Sequence, residues 1–344
     1  MGELNSKNNI DSGSLLFEGN EILKTDIKLI EYNKEVTKEE KFEKCRKFKK
    51  EDTVKWIKIN GFSKVEIEEI AKCFNLHPLL VEDISILQRP KIDEYKDYLF
   101  LIFNVFDNYD SKIITKQINI ILGENYLISF QDEENTLFDN VEQKIKIENS
   151  IIRDNGADFL LYSLLDAIVD SYFVILENLE DNIDSLEKEL IENPTKKTLN
   201  KVNKIKKDIV TIRKGIWPLI EVTSTITASN FSKIEENTNL YMKNVHDHIL
   251  QISEMLDSFR DSSSGLLDTY LSSMSNNLNE VVRVLTLITV LFVPLTFLTG
   301  FFGMNFQNII PLFSVDWFFY LFLGIMIVIP VIMLFIFKKY LTFD

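Results

Sequence analysis

A line of small and polar side chains follows one face of a long predicted helix near the C-terminal end of the chain. Its members are spaced by alternating steps of four and three residues: Asp261, Gly265, Asp268, Ser272, Ser275, Asn279, Val282, Thr286, Thr289, Val293, Thr296, Gly300 and Gly303. In lipid, a polar stripe must face protein or water. The spacing therefore predicts either a dry helix-packing surface or the lining of a water-filled path.

We favour the path over packing, because Asp268, Ser272, Ser275 and Asn279 continue the same line beyond the apolar part of the helix. One helix cannot enclose a channel, so this interpretation requires several copies of the chain. The flanking faces carry mostly large apolar residues, among them Leu271, Met274, Leu278, Val281, Leu285, Ile288, Leu291, Phe292, Leu295 and Leu298.

The stripe ends at Gly303-Met304-Asn305. A helix C-terminus carries unpaired carbonyls and about half a negative charge. Gly303 is predicted to adopt the left-handed conformation that often ends a helix, which places the amide of Asn305 at the rim. Mg²⁺ gives up water reluctantly, and neutral oxygens can hold its hydration shell without trapping the ion. The tripeptide alone is more typical of an ordinary turn.

Two charge-free segments flank this tripeptide, Leu285–Phe302 with 18 residues and Trp317–Phe337 with 21. A spanning helix needs about 20 apolar residues, and both segments are apolar on nearly every face. They predict a membrane hairpin rather than two buried core helices. Arg283 precedes the hairpin and Lys338-Lys339 follow it, whereas the connection has no basic residue. Both termini are therefore predicted in the cytoplasm, at the cell (inner) membrane.

The formal charge of −14 belongs entirely to residues 1–284, because residues 285–344 contain two acids and two lysines. An acidic body argues against nucleic acid as a partner and favours cations. The two cysteines, Cys45 and Cys73, lack metal-ligand spacing and are predicted to be reduced thiols.

Residues 1–155 predict an α/β domain, with strands at 53–59 and 98–106 and a hairpin over 116–130. Long helices follow, the first ending at Asn193-Pro194 and the second near Pro218. The chain is predicted to divide into a cytoplasmic α/β domain (1–155), long antiparallel cytoplasmic helices (156–238), a stalk helix that becomes the first span at about 285–302 (239–302), an outer loop (303–316), a second span (317–337) and a cytoplasmic basic tail (338–344). The fold class is thus an α+β cytoplasmic domain with long helices and a two-helix transmembrane hairpin.

The segment "YLSSMSNNLNEVVRVLTLITVLFVPLTFLTGFFGMNF" closely resembles the CorA magnesium transporter family. The resemblance extends to "HPLLVEDISILQRPK" (77–91), "YSLLDAIVDSYF" (162–173), "WPLIEV" (217–222) and the terminal lysine pair. It implies a homopentameric funnel with a central pore and gating by intracellular Mg²⁺. It also implies a selectivity filter at Gly303, Met304 and Asn305.

The resemblance further assigns roles within the stripe and in the acidic body. It implies an inner polar ring at Asn279, an acidic ring at Asp268 and a hydrophobic constriction at Val282, Leu285 and Val293. It also implies an inter-subunit regulatory metal site formed by Glu82, Asp83, Asp166 and Asn244. Relatives often carry methionine at 282 and 293 and aspartate at 244, so both features depart from the family pattern.

The sequence therefore predicts Mg²⁺ uptake driven by the membrane potential, with Co²⁺ and Ni²⁺ as further cargo. The chain has no nucleotide motif, and its spans carry no ionisable residue for proton coupling. Mg²⁺ is both the transported and the regulatory ion, and the partners are further copies of the chain, divalent cations and the bilayer.

Three alternatives remain beside this prediction. A zinc-transporting branch of the superfamily shares the signature, and a membrane-anchored coiled-coil scaffold would explain the helices but not the polar stripe. An enzyme is disfavoured, because the Asp166 and Asp170 pair lacks an accompanying nucleophile, phosphate loop or histidine-rich cluster.

Overall fold

A computed structural model describes residues 25–42, 53–109, 112–132, 136–229, 231–304 and 316–341. These residues divide into two compact units. The first, here called the sheet unit, holds the chain up to Lys188 together with Lys197–Leu266. The second, the apolar unit, holds Glu189–Lys196 and the chain from Leu267 onward.

The sheet unit is built on one mixed sheet of seven described strands in the order β2-β1-β3-β7-β6-β5-β4. Its strands are β1 Asp26–Tyr32, β2 Thr37–Lys41, β3 Val54–Asn60, β4 Lys91–Glu94, β5 Leu99–Tyr109, β6 Lys112–Leu122 and β7 Tyr126–Gln131. Among these described strands, β3 and β7 pair in parallel and the other neighbours pair antiparallel. The predicted strands at 53–59 and 98–106 and the predicted hairpin are confirmed.

Alternation along the strands creates the core, because every second side chain points to the same face. Ile57, Phe100, Ile121 and Ile128 are fully buried on one face. Two helices cover this face, α1 Lys64–Phe74 and α2 Pro78–Ser85, which contribute Ile67, Ile70, Leu80 and Ile84 to the same cluster. Strands β1, β2 and β4 were not predicted from the sequence, because the apolar segment of β1 is short and β2 and β4 are polar in composition.

Six further helices complete the described chain: α3 Asp139–Lys146, α4 Ile151–Asp154, α5 Ala157–Glu192, α6 Lys196–Ala228, α7 Glu236–Phe302 and α8 Asp316–Leu341. The predicted end of the first long helix at Asn193-Pro194 is confirmed. The predicted end near Pro218 is wrong, because α6 continues ten residues beyond it. A proline inside a helix removes one hydrogen bond, and the burial of Leu219, Val222 and Ile226 after it compensates for that loss.

The expectation of reduced thiols is wrong for Cys73, which lies on α1 and is disulfide-bonded. Spacing in the sequence carries no information on which cysteines a fold brings together. The predicted fold class is confirmed at the level of an α+β domain, long helices and apolar helices.

Candidate functional site

The polar stripe lies on a face of α7 that the single chain leaves open. Within the apolar unit, the exposed members are Asp268, Ser272, Ser275, Asn279, Val282, Thr286, Thr289, Val293, Thr296 and Gly300. Between 285 and 302, the partly buried residues lie mostly on the side of the helix away from the stripe at 3.6 residues per turn. They are Leu287, Val290, Leu291, Pro294, Leu295, Leu298 and Phe302. The chain therefore covers only part of α7 and leaves both the stripe and large apolar side chains such as Ile288, Phe292 and Phe297 exposed.

The threonine hydroxyls of the stripe donate their hydrogens within the helix. Thr286 Oγ1 donates to the Val282 carbonyl at 2.8 Å, and Thr289 Oγ1 donates to the Leu285 carbonyl at 2.8 Å. Thr296 Oγ1 donates in the same way to the Phe292 carbonyl at 2.9 Å. Since each hydroxyl has one hydrogen and two lone pairs, the outward side of each oxygen is an acceptor. Acceptor oxygens suit the water shell of a cation.

The stripe ends differently from the prediction at Gly303. The described part of the chain contains one glycine with positive φ, Gly61, so the left-handed assignment of Gly303 is wrong. Instead, the Gly303 N–H donates to the Thr299 carbonyl at 2.8 Å and extends the helical pattern by one bond. A Cβ at Gly303 would lie 2.8 Å from the same carbonyl oxygen. Glycine is therefore favoured here by close backbone approach.

Met304 is half-exposed and is the last described residue before 316. Asn305 and most of the predicted outer loop lie outside the described residues. On the two sides of that gap, the Phe302 ring contacts Phe318 at 6.1 Å and Phe322 at 5.0 Å between centroids. The end of α7 and the start of α8 therefore meet.

Three described helices are long and apolar enough to cross a membrane: Ala157–Glu192, Glu236–Phe302 and Trp317–Lys338. Half of the most apolar window of the first is buried within the structure, and none of the windows of the other two is. The apolarity of α5 thus has a partner inside the sheet unit. The apolarity of α7 and α8 has no such cover, which is the condition expected of helices that contact lipid.

The predicted regulatory carboxylates lie on two different helices. Glu82 is exposed on α2, and Asp83 beside it pairs with Lys91 Nζ at 2.8 Å. Asp166 is partly buried on α5, and Asn244 is exposed on α7. Among the described residues, no three His, Cys, Asp or Glu side chains are grouped so as to hold a metal. One chain therefore does not assemble these four residues into a metal site.

Asp166 nevertheless has the surroundings of a carboxylate that lacks a counter-ion. Burial is the largest cause that raises the pKa of Asp166, and the nearby charge of Asp170 raises it further. The charges of Lys144 and His248 lower this pKa. Burial and the charge of Asp166 also raise the pKa of Tyr162 to about 12. A cation near Asp166 would relieve this repulsion.

Sequence reasoning considered Asp170 only as part of an enzyme site and did not single out Tyr162 or Lys91. The spacing of Tyr162, Asp166 and Asp170 by steps of four places them on one helix face and could have indicated the cluster. Nothing in the sequence indicates that Lys91 reaches Asp83, because that contact depends on how β4 lies beside α2.

Comparison with known proteins identifies the family to which the chain is similar. The model of the family described as CorA-like Mg²⁺ transporter protein matches residues 51–339. The cobalt/magnesium transport protein CorA of Thermotoga maritima is 39% identical over 98% of this chain and 97% of its own length. The family consists of transporters rather than enzymes.

The solved structures give the same fold at lower sequence identity. The complete CorA magnesium transporter from Methanocaldococcus jannaschii matches with a TM-score of 0.73 at 22% identity, covering 90% of this chain and 97% of that chain. Among the relatives compared by sequence, the zinc transport protein ZntB of Photorhabdus laumondii is more distant than the Thermotoga protein, at 23% identity over 64% of this chain and 67% of its own length.

Proposed function

Because this chain belongs to the CorA-like Mg²⁺ transporter family, we propose that it carries Mg²⁺ passively across a membrane along the polar stripe of α7. The observation that supports this most directly is the exposed stripe itself. Its threonine oxygens present acceptors outward while their hydrogens are bonded inside the helix. A hydrated cation interacts favourably with such a surface, and an anion does not.

A closed path requires several copies, since each chain contributes one stripe. We propose a homopentameric funnel in which five α7 helices surround the pore and α8 lies outside them. The exposed face of α7 supports such an assembly, and the partly buried face opposite it carries the apolar contacts at Phe302. In this proposal α7 and α8 are the two spans, and both termini lie in the cytoplasm, with Arg283 and the terminal lysines on that side.

The membrane potential is a sufficient driving force. It contributes about 2.3 kcal/mol per elementary charge per 100 mV, which is about 4.6 kcal/mol for a divalent ion. That energy corresponds to about three decades in the concentration ratio. Neither nucleotide hydrolysis nor proton coupling is required.

Selection at the outer mouth belongs to Gly303, Met304 and Asn305 in this proposal. A Cβ at position 303 would lie 2.8 Å from the Thr299 carbonyl oxygen, so the lack of a side chain at Gly303 allows the helix to end tightly. The amide oxygen of Asn305 would then hold the hydration shell of the ion. The hydrophobic constriction would be formed by Val282, Leu285 and Val293, all of which are exposed on the single chain.

Regulation is assigned to Glu82, Asp83, Asp166 and Asn244. Glu82 and Asn244 are exposed, so both are available to a neighbouring copy. Mg²⁺ bound between copies would neutralise carboxylates that otherwise repel one another across the interface. Loss of the ion would let the copies separate, and α7 would transmit that motion to the constriction. High internal Mg²⁺ would therefore keep the pore closed.

The test is Mg²⁺ entry into liposomes that contain the purified protein, a fluorescent Mg²⁺ reporter and an imposed potassium diffusion potential. We expect entry that increases with the potential and is insensitive to a proton gradient. Asn305→Ala should abolish entry, and Asn308→Ala, the same change three residues later, should not. Normal entry through the Asn305→Ala protein would remove this residue from the mechanism.

Two results would favour other functions. Zn²⁺ entry that depends on a proton gradient at constant potential would favour the zinc branch. Absence of any divalent entry by a properly assembled protein would favour a scaffold.

A further inference from the structure

The carboxylate of Asp83 is already bound to a cation that belongs to the chain. Lys91 Nζ lies 2.8 Å from Asp83 Oδ2 and 2.7 Å from Asp93 Oδ2. The side chains are 37% exposed for Lys91, 20% for Asp83 and 37% for Asp93, so the contact is partly shielded from solvent. One ammonium group thus bridges two carboxylates at a position assigned above to regulatory Mg²⁺.

The frame around this contact is fixed independently of the ion pair. Gln117 Nε2 donates to the Asp83 carbonyl at 2.9 Å, and Gln117 Oε1 accepts from the Gln88 N–H at 2.5 Å. Lys91 and Asp93 lie two residues apart on β4, which pairs with β5. The backbone positions of Asp83 and Lys91 therefore do not depend on the charge of Lys91.

We propose that Lys91 is a tethered cation that competes with Mg²⁺ for Asp83 and so sets the Mg²⁺ concentration at which the regulatory site fills. This inference rests on the proposed regulatory role of Asp83. Asp83 Oδ2 accepts a charge-assisted hydrogen bond from Lys91 at 2.8 Å, and the positive charge of that ammonium repels a second cation close to the same carboxylate. Mg²⁺ binding must therefore displace the ammonium or share the carboxylate with it.

Asp93 makes the displacement reversible. When Mg²⁺ takes Asp83, the ammonium of Lys91 keeps its contact with Asp93 and is not left unpaired. Burial acts to lower the pKa of Lys91, but the hydrogen bonds to Asp83 and Asp93 outweigh it and raise the pKa.

The experiment is limited proteolysis of the full-length protein in detergent micelles over a range of Mg²⁺ concentrations, comparing the wild type with Lys91→Met. Methionine keeps most of the apolar stem and removes the charge. We expect the midpoint of protection to fall by about two- to tenfold, as removal of one partly exposed unit charge predicts. Lys116→Met is the matched control, since it removes another lysine that pairs with an aspartate, Asp107 at 3.0 Å rather than Asp83.

The outcomes separate this inference from the proposal on which it rests. An unchanged or higher midpoint for Lys91→Met, with Asp83→Ala strongly shifting the wild-type midpoint, overturns the competition and leaves the regulatory site standing. The same shift in Lys116→Met also overturns it, because the effect would then be one of overall charge. Absence of any Mg²⁺-dependent protection in the wild type overturns both.

Discussion

The two units use α7 in opposite ways, although the same spacing of four and three residues continues along the helix. In the sheet unit, the apolar line of Val245, Ile249, Ile252 and Leu256 is at most 1% exposed, so the chain supplies its own partners there. In the apolar unit, the polar line from Asp268 to Gly300 is exposed throughout. A heptad-like period therefore identifies a face that must be covered, but not which molecule covers it.

The two units also differ in where their polar side chains find hydrogen-bond and ion-pair partners. The sheet unit pairs its buried charges internally: Lys58 Nζ lies 2.7 Å from Glu142 Oε1, and these side chains are only 5% and 11% exposed. In the apolar unit, the stripe threonines bond only to carbonyls of their own helix. The sheet unit thus pairs these buried charges within one chain, whereas the apolar unit leaves acceptors for water, ions and other copies. The predictions below test this contrast.

The largest effect is expected from Thr289→Leu, which places a bulky apolar side chain on the stripe. We expect Mg²⁺ entry into liposomes to fall at least about 100-fold, because a ring of leucines would narrow the path and remove its acceptors. Thr299→Leu is the control. Thr299 is equally exposed and donates to the Leu295 carbonyl at 3.0 Å, but it lies about 80° around the helix from Thr289.

In a single chain these two threonines are nearly equivalent, so any difference between the variants arises from the assembly. Thr299→Leu should retain entry within about threefold of the wild type, since leucine suits a lipid-facing position. Equal losses in both variants would show that the stripe is packing surface and not the path.

Much of this contrast could be predicted from the sequence. Strands rich in β-branched and aromatic residues, such as β3 and β5, and long periodic helices such as α5 carry their own signals. The apolar segments and the polar stripe could also be predicted from the sequence, because contact with lipid or water restricts which residue types occur at each position. The family resemblance, carried by the tripeptide and by segments spread over the chain, is confirmed by the family match.

The rest depended on contacts between distant residues or on backbone detail. Pro218 was predicted to end α6, but burial of the residues beyond it outweighs one lost hydrogen bond. Gly303 was predicted in the left-handed region, whereas its N–H continues the helical hydrogen bonding to the Thr299 carbonyl. The Lys91–Asp83 pair joins β4 to α2, whose approach no local pattern encodes.

A smaller effect is expected from Glu142→Gln in the sheet unit. Glu142 accepts from Lys28 at 2.8 Å and from Lys58 at 2.7 Å, so the change leaves the buried Lys58 ammonium with the more distant carboxylate of Asp139, at 3.9 Å. We expect a loss of about 2 kcal/mol in the free energy of unfolding at neutral pH, measured by urea unfolding of the full-length protein in micelles. Asp154→Asn, which removes an exposed pair with Lys34 at 3.7 Å, should cost less than about 0.5 kcal/mol.

The pH dependence of the Glu142 contribution has a definite sign. Burial acts to raise the pKa of Glu142, but hydrogen bonds from Lys28 and Lys58 outweigh it, so the folded pKa is below the ordinary 4.5. The stabilisation is complete above 4.5 and is lost as the pH falls through the lowered value. The difference between wild type and Glu142→Gln should therefore shrink on acidification below 4.5. A constant difference would show that the carboxylate charge is not what stabilises the unit.

The smallest effect compares one helical glycine from each unit. A Cβ at Gly215 on α6 would lie 2.7 Å from Phe106 Cζ and 3.4 Å from Asn104 Cβ, whereas a Cβ at Gly324 on α8 would meet nothing within 4 Å. Glycine to alanine inside a helix normally stabilises by about 0.5–1 kcal/mol. At Gly215, displacement of the buried Phe106 ring should reverse that sign and cost about 1 kcal/mol net. Gly324→Ala should be neutral or stabilising.

Peptide-level hydrogen exchange on the full-length protein measures the two units separately. We expect faster exchange in α6 and β5 for Gly215→Ala, and unchanged or slower exchange in α8 for Gly324→Ala. The second variant has a further use, because the open space at Gly324 is defined for one chain only. If Gly324→Ala loosened the assembled protein, another copy would have to occupy that space, and α8 would belong to the subunit interface rather than to the lipid-facing surface.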